Sequence, residues 1–445
     1  MLSTESIVPI PALDLTYVRS QFPSLAQTVN GHSAAFLDGP GGTQVPQLVI
    51  DAISGYLRHN NANTGGAYAT SRRTDAMIAE ARSAMADFLH SGADEVAFGP
   101  NMTTLTFAIS RAIGRDLKPG DEIVVTRLDH DANVSPWLAM AEDRGVTVRW
   151  AEIHDADCTL DMADLASKIN SKTKLVAAGY ASNAVGTINP VKEIVGLAHA
   201  AEALAYIDAV HYGPHGLIDV AGLDCDFLVC STYKFFGPHM GVLFGKREHL
   251  KRLRPYKVRP NTNAIPNCWE WGTLNHECIA GIAACVEYLA DLGRHARESC
   301  GEDETCGDGR IGHPSSEARP LTRRAAIEAA YAAIHEHESA LLQRMIAGLV
   351  KIPALKIYGI TDPARFHERC ATLAIRVDGH TPLELSTQLG DRGFFTWDGN
   401  YYALNLTEHL DVEKSGGFLR IGLVHYNTVE EVDRLLAALR EIVGA

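Results

Sequence analysis

Between Val96 and Gly245 the chain alternates short unbroken apolar runs with longer mixed stretches. The runs are Val96–Gly99, Glu122–Thr126, Lys174–Ala178, Leu204–Ile207, Phe227–Cys230 and Gly241–Phe244. Most are continuously apolar and all are too short for a helix, so each predicts a strand of a buried sheet. The stretches between them predict helices at Ala76–Leu89, from about Thr104, and at Val191–Ala203. Strands that alternate with helices imply a mainly parallel sheet covered on both faces.

After Gly245 the pattern loosens. A helix is predicted at Ile279–Leu292, then a polar stretch from Arg294 to Arg319 that reads as an exposed loop. Ile327, Tyr331, Ile334, Leu341, Met345 and Leu349 recur at helical spacing, which predicts a long packed helix over Leu321–Leu349. The remainder reads as a small α/β unit: a strand at Thr372–Val377, a helix at Pro382–Arg392, strands near Phe394–Trp397 and Phe418–Gly422, and a last helix at Val429–Val443. The expected organisation is a leading arm (1–30) belonging with the small domain, a large domain (31–292), an exposed loop (293–320) and a small C-terminal domain (321–445).

Polar residues gather just past the ends of the buried runs, where α/β sheets hold ligands. Asp208 and His211 follow one run; Ser231, Tyr233 and Lys234 follow the next. An isolated Asp or Lys there is ordinarily a helix cap or a solvated loop residue. Lys234, however, lies between Ser-x-Tyr and Phe-Phe-Gly-Pro-His, which no solvated loop calls for. A buried lysine loses its proton readily and becomes a nucleophile toward an aldehyde. A carboxylate opposite a pyridine nitrogen keeps that ring protonated, and pyridoxal phosphate needs both partners.

At this point a resemblance becomes specific. Asp208, His211, Asp224, Asp226, Phe227, Ser231, Tyr233, Lys234, Gly237, Pro238 and Gly241 stand in the order and spacing of the class V aminotransferase and cysteine desulfurase group of PLP enzymes. The C-terminal FLRIGLVHYNTVEEV is similar to that group as well. The resemblance implies fold type I: a large domain with a mainly parallel seven-stranded sheet, a small C-terminal domain, and a homodimer acting on an amino acid. It implies that Lys234 carries pyridoxal 5′-phosphate, that Asp208 faces the pyridine nitrogen and that His130 stacks on the ring. Asn183 and His211 would hold the phenolic oxygen. Asn101, Met102, Thr103 and Ser231 would surround the phosphate, joined by Thr273 of the neighbouring subunit, and Tyr233 would also contact the cofactor. Arg420 would fork onto the substrate carboxylate beside Asn183 and Tyr402. On the residues alone, PNMTT is either an anion-binding helix start or an ordinary cap. Gly39–Gly42 is either a plain turn or a close approach of backbone to a ligand.

One position departs from the pattern. Cysteine desulfurases carry a loop cysteine where this chain has Tyr402, in DGNYYA. A phenol cannot become a persulfide, so carbon–sulfur cleavage by β-elimination is expected, with aminotransferase or epimerase chemistry as alternatives on the same scaffold. A silent PLP-binding regulator is the alternative outside enzymology, disfavoured because every residue of the cofactor constellation is present.

Composition narrows the partners. Forty basic against 54 acidic residues leave a net charge of −14, which disfavours nucleic acid. No apolar run has the length of a membrane helix, and no basic, apolar leader opens the chain. Nine cysteines, several within apolar runs, fit a reduced cytoplasmic protein. No metal motif is found; His335 and His337 face different directions on their helix.

Overall fold

The structure, a computed structural model, describes residues 13–300 and 321–444. Seven strands form the main sheet: β1 (Val96–Gly99), β2 (Glu122–Thr126), β3 (Thr147–Ala151), β4 (Thr173–Gly179), β5 (Leu204–Asp208), β6 (Phe227–Ser231) and β7 (Gly241–Gly245). Their order is β1-β7-β6-β5-β4-β2-β3. Only β7 runs antiparallel to its neighbours. Every residue of β1, β2, β6 and β7 is buried, as continuous apolar runs require. This is the expected fold-type-I architecture. Because β1, β2, β4, β5 and β6 point the same way, their C-terminal ends open along one edge of the sheet.

The edge strand β3 was not legible in the apolar runs. Its first four residues alternate between exposed and half-buried, since its neighbour β2 covers it on one side only. Two helices also run beyond their predicted limits. The first begins at Ala69, where polar Ser71 and Thr74 are buried on its inner face. The other, His276–Cys300, continues through residues expected to be loop, with Arg294 bonded back to Glu287 at 2.7 Å and to Asp291. Residues 301–320, which hold the rest of the expected loop with Cys306, lie outside the described residues, as do residues 1–12.

A second, antiparallel sheet comprises β8 (Leu355–Tyr358), β9 (Thr372–Val377), β10 (Trp397–Gly399) and β11 (Phe418–Gly422), in the order β8-β9-β11-β10. Two features join it to the main sheet. The helix Arg323–Leu349 packs Ala326–Ile334 into the core beside the main sheet and Leu341–Leu349 into the core beneath the second. Near the start of the chain, Ala35–Phe36 pairs in parallel with Phe394–Phe395, so Ala35 and Leu37 belong to the C-terminal core.

Beside β1, Arg82 forms a two-pronged bond with Glu270 at 2.7 and 2.6 Å, and Glu270 also accepts from the Phe98 amide at 2.8 Å. Both side chains are buried. Removing one member strands the other charge in a dry interior, so Glu270→Ala is expected to cost about 3–5 kcal/mol. Differential scanning calorimetry should show a lower Tm, largely restored when Arg82→Met is combined with Glu270→Leu. An unchanged Tm in the single variant would assign the ion pair no part in holding β1.

Candidate active site

The edge of the main sheet gathers polar residues from the ends of five strands. The turn after β6 supplies Lys234, the end of β5 supplies Asp208, and the turn after β2 supplies Asp129 and His130. Asn183 follows β4, and Asn101–Thr103 follows β1. Together with His211, Ser231, Tyr233 and Pro40 these residues line one cavity. The wider mouth adds Phe107, Tyr401, Tyr402 and Arg420.

Burial governs the charges. It pushes the Lys234 ammonium down to about 7, helped by the Arg420 guanidinium and opposed by Asp208 and Asp38. The Lys234 Nζ donates to the Pro40 carbonyl, so the Gly39–Gly42 turn does approach the site. Asp208 is pushed up to about 6 by burial, against the pull of the Val210 amide and Lys234. Its Oδ1 accepts from that amide at 2.9 Å. A cation against this carboxylate would favour its ionised form again.

His130 is held neutral by burial, which takes it down to about 3. Its Nδ1 accepts from the Ala132 amide at 3.0 Å, and its ring stacks against Tyr402 at 5.5 Å. Tyr402 is 71% exposed and, like Tyr401, has a positive φ. The turn carrying these two tyrosines is pinned over the cavity: Asp131 N donates to Tyr402 O at 2.7 Å and Asn183 Nδ2 to Tyr401 O at 2.9 Å.

The helix Met102–Gly114 starts at the cavity, with Asn101 as its cap: Asn101 Oδ1 accepts from Thr104 N at 2.8 Å. Met102 N donates to Ser231 Oγ at 3.1 Å, which leaves that hydroxyl's own proton to donate elsewhere. The helix dipole and the Ser231 hydroxyl suit an anion. Approach is tight, because a Cβ on Gly241 would meet the Asn101 carbonyl carbon at 2.4 Å.

Arg420, on β11, reaches the mouth. It donates to Asn183 O at 2.9 Å, lies 4.1 Å from the centre of the Tyr401 ring and leaves its Nε unpartnered. Asn183 Oδ1 and both nitrogens of His211 are likewise buried without a partner. Such polar atoms cost free energy unless something fills the space between them. A ring with a phenolic oxygen, a basic nitrogen and a phosphate would meet Asn183 and His211, Asp208, and the helix start. The residues therefore fit pyridoxal 5′-phosphate.

Thr273 is the exception to this gathering. It is exposed and lines neither the cavity nor its mouth. Asp129 and Asp38 are additions that the sequence did not single out. Asp129 accepts from the Gly179 amide, Thr126 and Asn133 at 2.8–2.9 Å, yet burial still pushes it up to about 7. Asp38, raised to about 6 by burial, carries an unpartnered Oδ1. Asp129 stands beside His130 after a strand, and that was the one available signal.

The family profile for Aminotransferase class-V matches residues 35–303 and 324–435. The chain therefore belongs to the class V aminotransferase family, whose members are PLP-dependent enzymes. It is 32% identical to a cysteine desulfurase of Pectobacterium atrosepticum, over 96% of this chain and 97% of the relative. It is also 30% identical to the aminotransferase-like protein FGM3 of Gibberella zeae, over 96% and 98% of the two chains. Among solved structures, the apo cysteine desulfurase of Thermococcus onnurineus superposes with a TM-score of 0.81 at 24% identity, covering 99% of this chain and all of that one. CsdA of Escherichia coli, another cysteine desulfurase, gives 0.80 at 23% identity, covering 97% and 99%. No helix among the described residues is long and apolar enough to cross a membrane.

The depressed Lys234 has a measurable signature. Its folded value of about 7 lies below the 10.5 of a free lysine, so within that window the unfolded chain binds the extra proton. Ligand-free protein should gain stability from this group as pH rises from about 7 to about 10, having borne the full burial penalty below that range. Lys234→Met lacks the penalty. It should be more stable than the parent at about pH 7, by a margin that shrinks toward pH 10 in parallel calorimetric scans. A margin independent of pH would show that Lys234 titrates as an ordinary lysine.

Proposed function

We propose that this chain binds pyridoxal 5′-phosphate through Lys234 and cleaves the β-carbon–sulfur bond of an α-amino acid by elimination, with no persulfide on the protein. The observation that carries this reading is a buried lysine facing Asp208 in a cavity that no cysteine among the described residues lines. When bound, the cofactor supplies an electron sink for charge developing at the substrate Cα. Lys234, whose burial favours the neutral amine, takes the Cα proton, a step worth roughly 10²–10⁴ in rate. Arg420 binds the substrate carboxylate, and Asn183 and His211 hold the phenolic oxygen. Asp208 keeps the ring nitrogen protonated, His130 covers the ring face, and Asn101–Thr103 with Ser231 and Tyr233 receive the phosphate. Tyr402 stands at the mouth as a substrate contact that has no thiol to offer. Sulfur leaves with the bonding electron pair, and the released enamine hydrolyses to a keto acid and ammonia.

The reading extends to a homodimer, in which exposed Thr273 serves the neighbouring subunit's phosphate, and to the cytoplasm, in keeping with the free cysteines. Incubation with L-cysteine and with a cysteine S-conjugate tests the reaction. Pyruvate and free thiol or sulfide should appear in equal amounts. Alanine formed in step with a persulfide on Cys300 or Cys306 would overturn the elimination reading, and a requirement for a keto-acid acceptor would indicate transamination.

One labelling experiment and one variant probe the cofactor roles. Borohydride should fix the cofactor to the peptide containing Lys234; a label on Lys246 or Lys257 would displace the central assignment. Asp208→Asn should retain the cofactor and lose most turnover, since a charge-assisted hydrogen bond of about 1.5–3 kcal/mol is removed. Near-normal turnover would mean that another group serves the ring nitrogen.

A further inference from the structure

Behind His211, which the proposed function turns toward the phenolic oxygen, stand two residues that this function does not use, His215 and Cys370. His211 lines the cavity with Lys234, whereas His215 and Cys370 line a separate cleft with Tyr180, Tyr212 and Glu338. His211, His215 and Cys370 each present one donor atom, and these atoms lie within 4.8 Å of one another. The three residues are 3–5% exposed. Both nitrogens of His211, the Nε2 of His215 and the Oε1 of Glu338 lack any hydrogen-bond partner. Several unpartnered polar atoms at one buried point mark a place where a ligand belongs.

The hydrogen bonding indicates which ligand. His215 Nδ1 meets Glu338 Oε2 at 2.7 Å, which places the ring proton on Nδ1 and leaves an Nε2 lone pair free. A carboxylate that orients one imidazole nitrogen while the other stays free is the arrangement found behind metal-ligating histidines. Two imidazoles and a thiol make a borderline-soft donor set, suited to zinc-type cations. We propose that His211, His215 and Cys370 form a binding site for a divalent cation of the zinc class, with Glu338 orienting His215.

Charge and access both fit. On binding, the Cys370 S–H bond breaks, a metal–sulfur bond forms and the proton passes to solvent buffer. The 2+ charge is then balanced by one thiolate and the Glu338 carboxylate, which suits a dry interior. The nearby Arg369 guanidinium is already engaged by the carbonyls of Val185, Ile360 and Thr372. Tetrahedral coordination needs donors about 3.3–3.6 Å apart, so the cluster must close slightly. His211, whose two ring nitrogens have no hydrogen-bond partner within the protein, can turn one of them toward the ion and leave the other for the phenolic oxygen. The cleft beside His215 and Cys370 gives the ion its route in.

Metal counting tests the site independently of any reaction. Untagged full-length protein is incubated with zinc sulfate, desalted and analysed by plasma mass spectrometry. The parent should retain one zinc per chain, and Cys370→Ala or His215→Ala should fall to background. Glu338→Gln, which keeps the shape, should weaken retention about 10–100-fold. With cobalt in place of zinc, the parent should show a thiolate-to-cobalt charge-transfer band that Cys370→Ala lacks. If Cys370→Ala fails to fold, the size-matched Cys370→Ser decides by the same band. Absence of retained zinc in the parent would overturn the proposal, as would retention unaltered by Cys370→Ala in folded protein.

Discussion

Desolvation of one ammonium group is the constraint on which the site depends. Lys234 sits where the edge of a sheet, a glycine-rich turn and a strand of the second sheet close on each other, and little water remains to stabilise its charge. The same dryness raises Asp208, Asp129 and Asp38 and lowers His130. A neutral base, protonatable acids and a neutral ring surface thus arise from a single cause. The cavity needs all the surrounding elements, because the Pro40 turn, the Tyr401–Tyr402 turn and Arg420 come from parts of the chain far from Lys234 in sequence.

How much of this was legible in the sequence depended on how each feature is encoded. Buried strands write themselves as continuous apolar runs, so β1, β2 and β4–β7 could be read directly, together with the residues that follow them. β3 could not, because an edge strand covered on one side mixes polar with apolar positions. The last turns of His276–Cys300 are held by Arg294 and its carboxylate partners, and a polar helix surface resembles a loop when only hydrophobicity is read. Asp129 escaped notice for a different reason. Its role rests on bonds to Gly179, Thr126 and Asn133, and nothing in the order of residues announces that the Gly179 amide arrives there.

The cluster of His211, His215 and Cys370 shows the same limit more sharply. His211 and His215 are one helical turn apart in sequence and would pass as an ordinary pair. Their third member lies more than 150 residues later, delivered by the segment between the helix Arg323–Leu349 and β9. Glu338 also sits on that helix, close to where its side chains change from one hydrophobic core to the other. Side chains from both cores therefore meet at the wall of the cavity.

The pairing of Ala35–Phe36 with Phe394–Phe395 has a consequence for how the protein is made. The strand partners are separated by about 360 residues, and at ribosomal rates of about 5–20 residues per second the first waits roughly 20–70 seconds for the second. Throughout that interval Ala35 and Leu37 lack the C-terminal core that they join in the folded protein. The segment settles only when synthesis is nearly complete, and the Lys234 cavity, whose wall includes the neighbouring Pro40 and whose mouth includes Arg420, closes only at the end.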